Sequence, residues 1–150
     1  MTEAPAPIER APKRSATARR VLHAIRAGAR WLHLALALAI VLGVFVQVYL
    51  IGSYIFGAGP GVLDAHRSTG FTVQGLEVVL FLAALAARLP RRDLLLSLLL
   101  AVVGTVQATL ANAHRWVGGL HPLLALVVLA LAATLALGAI RRLRTAALAG

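Results

Sequence analysis

The chain has 150 residues, of which 60% are hydrophobic and 13% charged; it has no cysteine and a net charge of +10. Soluble domains are nearer half apolar and a quarter charged, so the composition points to the bilayer, and the lack of cysteine excludes disulfides, thiolate metal sites, Cys nucleophiles and c-type haem attachment. The basic residues sit at the edges of apolar runs, which argues for membrane topology and against nucleic acid as their partner.

Residues 1–14, with Pro5, Pro7 and Pro12 among small and charged residues, read as a disordered basic tail. Residues 15–30 read as an interfacial amphipathic helix, either separate from the first span or continuous with it. Val21, Leu22, Ile25 and Leu32 share one side while Arg19, Arg20, Arg26 and Arg30 lie elsewhere, which suits anionic lipid headgroups. The apolar run that follows starts too far in and is too long for a secretory signal peptide.

Four apolar segments are each long enough to cross a bilayer, at 31–56, 68–87, 94–113 and 120–140, within a membrane domain of 31–144 and before a tail of 145–150. Gly57, Gly59, Pro60 and Gly61 predict a turn-rich first loop that ends near His66. Arg88 to Asp93 form the second loop, and Gly118-Gly119 close the third. Loops this short force antiparallel neighbours. The expected fold is an all-α, integral membrane, up-down-up-down four-helix bundle built as two related helical hairpins.

Thirteen of the fifteen Lys and Arg residues precede span one, separate spans two and three, or follow span four; only Arg67 and Arg115 lie on the other side. The positive-inside rule then places both termini in the cytoplasm of a bacterial inner membrane.

The two halves repeat a polar pattern. Gln47 near the end of span one is followed by His66 at the start of span two, and Gln107 near the end of span three by His121 at the start of span four. A small residue, Gly70 or Ala125, comes four positions after each histidine, on the same helix face. Such a duplication puts spans two and four in equivalent, facing positions, with both imidazoles at one depth near the outer surface. Two imidazoles from facing helices are a common way to hold a haem iron in a bundle, and a small residue one turn inward leaves room for the macrocycle. A lone histidine at a membrane edge is more simply a solvated or helix-capping residue; the pairing is what favours ligation. His114 is a substitute for His121, His33 has no histidine partner at its depth, and His23 belongs to the solvated basic stretch.

Glu77 falls midway along span two, three turns below His66. A carboxyl at that depth is costly and faces the bundle interior. It reads as a proton relay, a quinone partner or a transport carboxylate. The plainer reading is a protonated side chain hydrogen-bonded to Gln107, Thr105 or Thr109. Gln74 reads as a packing hydrogen bond. Asp64 and Arg67 either attend the haem propionates and the imidazole or form an ordinary loop pair. Gly43, Gly52, Gly75 and Gly104 are expected to let helices approach closely.

The run Asp64-Ala65-His66-Arg67, with Gln107 and His121, resembles one four-helix half of haem A synthase. That family has Glu two residues before its His-Arg with one more residue between, so the acidic position is displaced here, and it has eight spans. No catalytic carboxylate is carried over. The closer likeness is to small bacterial four-span membrane proteins of no assigned function. It rests on Gln47-x-x-x-x-Gly52, His66-x-x-x-Gly70 and Leu120-His121-Pro122, and covers about residues 31–142. Similarity to b-type membrane cytochromes is one of architecture.

The sequence therefore leads to a protein that binds one haem b through His66 and His121, with Gly70, Ala125, Arg67, Gln47 and Gln107 around it. It would transfer electrons, alone or as a subunit of a larger complex, rather than catalyse independently. Two rivals stand beside this reading. One is a small proton- or cation-coupled transporter using Glu77, expected as a homodimer because four short spans enclose little volume. The other is a cofactor-free structural or assembly subunit.

Overall fold

The computed structural model describes residues 14–111, 113 and 115–148. Except for Arg14, the N-terminal tail lies outside the described residues, as does His114. The helices are α1 (Arg14–Ile55), α2 (Pro60–Ala87), α3 (Arg91–Leu110), the single turn α4 (Arg115–Gly118) and α5 (Leu120–Leu148). All but α4 are long and apolar enough to cross a membrane.

The boundaries differ from the sequence expectation in instructive ways. The amphipathic stretch and the first span form one uninterrupted helix, because nothing between Arg14 and Ile55 breaks it. At 1.5 Å per residue its 42 residues extend about 63 Å, well beyond a bilayer core. The first loop is shorter than expected. Pro60 opens α2 at its first turn, where proline's missing N–H costs no hydrogen bond, so His66 lies inside the helix and not at its start. Gly57 and Gly59 turn the chain with φ of 93° and 89°, a region that L side chains rarely adopt. At the other end of α2, Arg88 takes the left-handed conformation usually given to glycine, and its N–H bonds back to the Leu85 carbonyl. α5 runs eight residues past the expected span, to Leu148.

Each long helix packs on two others: α1 on α2 and α5, and α3 on α2 and α5. The pairs α2/α5 and α1/α3 therefore lie on the diagonals of the bundle. Every helix turns one stripe inward at alternating steps of four and three residues, the spacing of left-handed helix packing. On α1 the stripe is His33, Ala37, Ile40, Val44, Gln47; on α3 it is Asp93, Ser97, Leu100, Gly104, Gln107. On α2 it runs from His66 through Gly70, Val73, Glu77, Leu80 and Ala84 to Ala87. On α5 it runs from His121 through Ala125, Val128, Ala132, Leu135 and Ala139 to Arg142. All of these positions are buried or half-buried, and most of the apolar ones belong to the core, together with flanking residues such as Leu34, Leu36, Ala83 and Ala136.

Two glycines explain close contacts between helices. A Cβ at Gly43 would overlap Val73 across the α1–α2 contact, and one at Gly104 would overlap the Glu77 carboxyl across the α2–α3 contact. Gly52 and Gly75 meet nothing within 4 Å, so the close approach expected at them does not occur within the chain. Outward faces carry large apolar side chains, including Leu42, Phe45, Phe71, Leu82, Val102, Leu126 and Leu137.

Candidate functional site

The inward stripes place polar groups at three levels. At the end where α2 and α5 begin, His66 and His121 meet across the diagonal with ring centroids 6.3 Å apart and planes at 79°. Each ring is anchored in the same way. His66 Nδ1 lies 3.1 Å from the Gln47 carbonyl, and His121 Nδ1 lies 2.9 Å from the Gln107 carbonyl. A carbonyl only accepts, so Nδ1 carries the proton on both rings, and in the neutral imidazole the lone pair is then on Nε2. Gln47 adds a second link by donating from Nε2 to the His66 carbonyl at 2.8 Å. The Gln/His repeat is thus reproduced as geometry, with the backbone carbonyl of each glutamine as the acceptor.

Gly70 and Ala125 lie half-buried one turn inward. A Cβ at Gly70 would sit 3.6 Å from the Gln47 amide oxygen, so Gly70 borders the Gln47 side chain. Arg67 and Asp64 form an exposed pair at 3.4 Å on the rim. Such a pair contributes little to stability and leaves the guanidinium open to solvent.

Midway along the bundle Glu77 is fully buried, in the niche left by Gly104. Neither of its oxygens has a hydrogen-bond partner. The interhelical bonds expected for it are made elsewhere. Thr105 Oγ1 donates to the Ala101 carbonyl and accepts from Gln74, while Thr109 donates to the Val106 carbonyl. Gln107 Oε1 is also buried and unpartnered.

The third level, at the arginine-rich end, was not expected from the sequence. His33 is 1% exposed, and its Nε2 meets Ser97 Oγ at 3.1 Å across the α1/α3 diagonal. Asp93, also buried, pairs with Arg142 of α5. The signal was present, because His33, Ser97, Asp93 and Arg142 all fall on the four-three stripes. What the sequence lacks is the rotation of α1 that turns His33 toward α3. His23 is exposed. Among the described residues no group of three or more His, Asp or Glu side chains is arranged to hold a metal ion.

The chain is similar over residues 47–113 to a family of unknown function, DUF6220. The match includes Gln47, His66, Glu77 and Gln107 but stops before His121. No curated protein and no solved structure matches the chain, so the likeness to haem A synthase gains no support from these comparisons. The family similarity brings no activity with it.

Proposed function

We propose that this protein is a four-span integral membrane protein that binds one b-type haem between His66 and His121 and passes electrons near the outer face. The observation that carries the proposal is the convergence of two imidazoles anchored alike. Two imidazoles on opposite sides of one metal ion, each at a bond of about 2 Å, have centroids roughly 6 Å apart. The separation here is 6.3 Å. Histidines that ligate metals commonly donate their other ring N–H to a carbonyl, which fixes the tautomer and raises ligand basicity.

The girdle of outward apolar residues supports membrane insertion, and the clustering of arginines at one end of the bundle supports cytoplasmic termini. Bound haem, held by His66 and His121, would supply a one-electron couple, which suits electron transfer better than oxygen chemistry. The protein's part is to hold and orient. The Gln47 and Gln107 carbonyls aim the two rings, the α2/α5 diagonal sets their spacing, and Arg67, an exposed cation one residue beyond His66, would meet a propionate.

The test is a reduced-minus-oxidised absorption spectrum of protein purified after expression with ample haem. A low-spin b-type spectrum is expected, lost in His66→Ala and in His121→Ala and kept in His23→Ala. A protein that carries no Soret band, or single mutants that retain full haem, overturns the proposal.

A further inference from the structure

Among the described residues five buried side-chain polar atoms lack a hydrogen-bond partner: His33 Nδ1, Glu77 Oε1 and Oε2, Gln107 Oε1 and Arg142 Nη2. All belong to the inward stripes, so they are strung along the bundle axis instead of being scattered over it. Buried polar groups without protein partners are the usual anchors of ordered water, because leaving such a group dry is costly. From Gln107 the row steps one turn along α3 to Gly104 and Glu77, then two turns to Ser97 and His33, then one turn to Asp93 and its partner Arg142.

We infer that this axial row is a proton path, with Glu77 as the mid-membrane carrier, His33 as the carrier toward the arginine-rich end, and a leucine layer between them as its main resistance. Glu77 and His33 can each accept and release a proton, and imidazole can take one at one nitrogen and release one at the other. Between their levels lie Leu80, Leu100 and Leu135, all fully buried and in one cluster. An apolar constriction of this kind gates by excluding water. The stripes facing Glu77 from α1, α3 and α5 present Ile40, Gly104 and Val128 near its level, and the charged groups on the stripes at His33's end of the bundle are Asp93, one turn from Ser97 on α3, and its partner Arg142.

Under a membrane potential the neutral Glu77 carboxyl passes its proton across the leucine layer to His33, and the carboxylate left behind is reprotonated from the histidine end by way of water at Gln107. His33 then releases a proton beside Asp93, so that each carrier returns to its starting state. The path requires no change of charge at His66 or His121 and does not depend on the haem reading.

The test uses full-length protein in liposomes with a trapped pH dye and a potassium diffusion potential, with haem content measured on the same preparation so that loss of haem and loss of flux are separate results. Wild-type vesicles should take up protons at least about tenfold faster than protein-free vesicles, and Leu100→Ser should raise the rate further. Glu77→Gln should return both the wild-type and the Leu100→Ser rates to the protein-free level, and His23→Ala should change nothing. Circular dichroism and gel filtration check that each variant is folded. Wild-type flux equal to that of protein-free vesicles overturns the inference. So does a Leu100→Ser leak that persists in Leu100→Ser/Glu77→Gln, which would be passage of water and ions through a loosened core.

Discussion

His66 and His121 sit on helices that share no extensive contact, yet their rings lie 6.3 Å apart because α2 and α5 occupy one diagonal of the bundle. Each ring is tied by Nδ1 to the carbonyl of a glutamine on the preceding helix of its own hairpin. The pair is therefore positioned by backbone atoms, and the two glutamine side chains have different duties. Gln47 bonds to the His66 carbonyl, whereas the Gln107 amide oxygen is buried without a partner.

That difference predicts unequal outcomes for one substitution. Gln47→Leu removes a side-chain hydrogen bond worth about 1 kcal/mol and should lower the unfolding midpoint in mild detergent. Gln107→Leu keeps the carbonyl that anchors His121 and removes an amide oxygen bonded to no protein group, so its midpoint should fall less than that of Gln47→Leu. Thermal melts of the two variants side by side check this, and equal destabilisation would mean that the Gln107 amide makes a bond in the folded protein.

Glu77 and Gly104 should behave as one unit. A methyl group at position 104 would occupy the space of the carboxyl. Gly104→Ala should therefore cost about 1–3 kcal/mol, the range for overpacking a dense interior. Glu77→Ala on its own empties the niche and removes two unpartnered oxygens. The double variant should recover most of the loss, with a coupling of about 1 kcal/mol or more in a double-mutant cycle. Additive effects would show that the two side chains do not share that space.

How far the sequence foretold this arrangement depends on which level of the bundle is considered. The four helices follow from apolar run length and short loops, and the Gln/His repeat foretold that His66 and His121 would lie at one depth, since equivalent positions of two hairpins fall on one diagonal. The lower polar level was not legible. His33 looked solitary because its partner Ser97 is 64 positions away, on a helix that shares only the other diagonal with α1. Asp93 and Arg142 looked like loop charges because each stands beside other charged residues, and only the four-three stripe separates them from exposed Arg91, Arg92 and Arg141. The early start of α2 is masked in the sequence because Pro60 stands among glycines that favour a turn, although proline equally favours the first turn of a helix.

Asp93 and Arg142 illustrate why the two partners of an ion pair are not equivalent. The Asp93 side chain is 9% exposed, whereas that of Arg142 is 36% exposed and can turn toward water when its partner is lost. Arg142→Met leaves a buried carboxylate alone and should cost about 2 kcal/mol or more. Asp93→Asn should cost roughly half as much, because the guanidinium can resolvate. Unfolding of the single variants in detergent measures the ratio. A larger loss for Asp93→Asn would show that the arginine, and not the aspartate, is the group trapped in the interior.

The topology can be tested directly because the chain has no native cysteine. A single thiol can be introduced at any exposed site without background labelling. Ala58, in the turn between α1 and α2, and Thr145, near the end of α5, are both exposed and lie at opposite ends of the bundle. The arginine-rich end should stay on the side where the protein is made, since carrying Arg88, Arg91, Arg92, Arg141, Arg142 and Arg144 across the bilayer opposes the potential. A membrane-impermeant maleimide added to intact bacterial cells lacking an outer-membrane barrier should label Ala58→Cys. Thr145→Cys should react only after the membrane is opened. The reverse pattern would place the histidine pair on the cytoplasmic side and invert the direction of the proposed proton path. Labelling of both sites in intact cells would rule out the odd number of crossings that α2, α3 and α5 make between them.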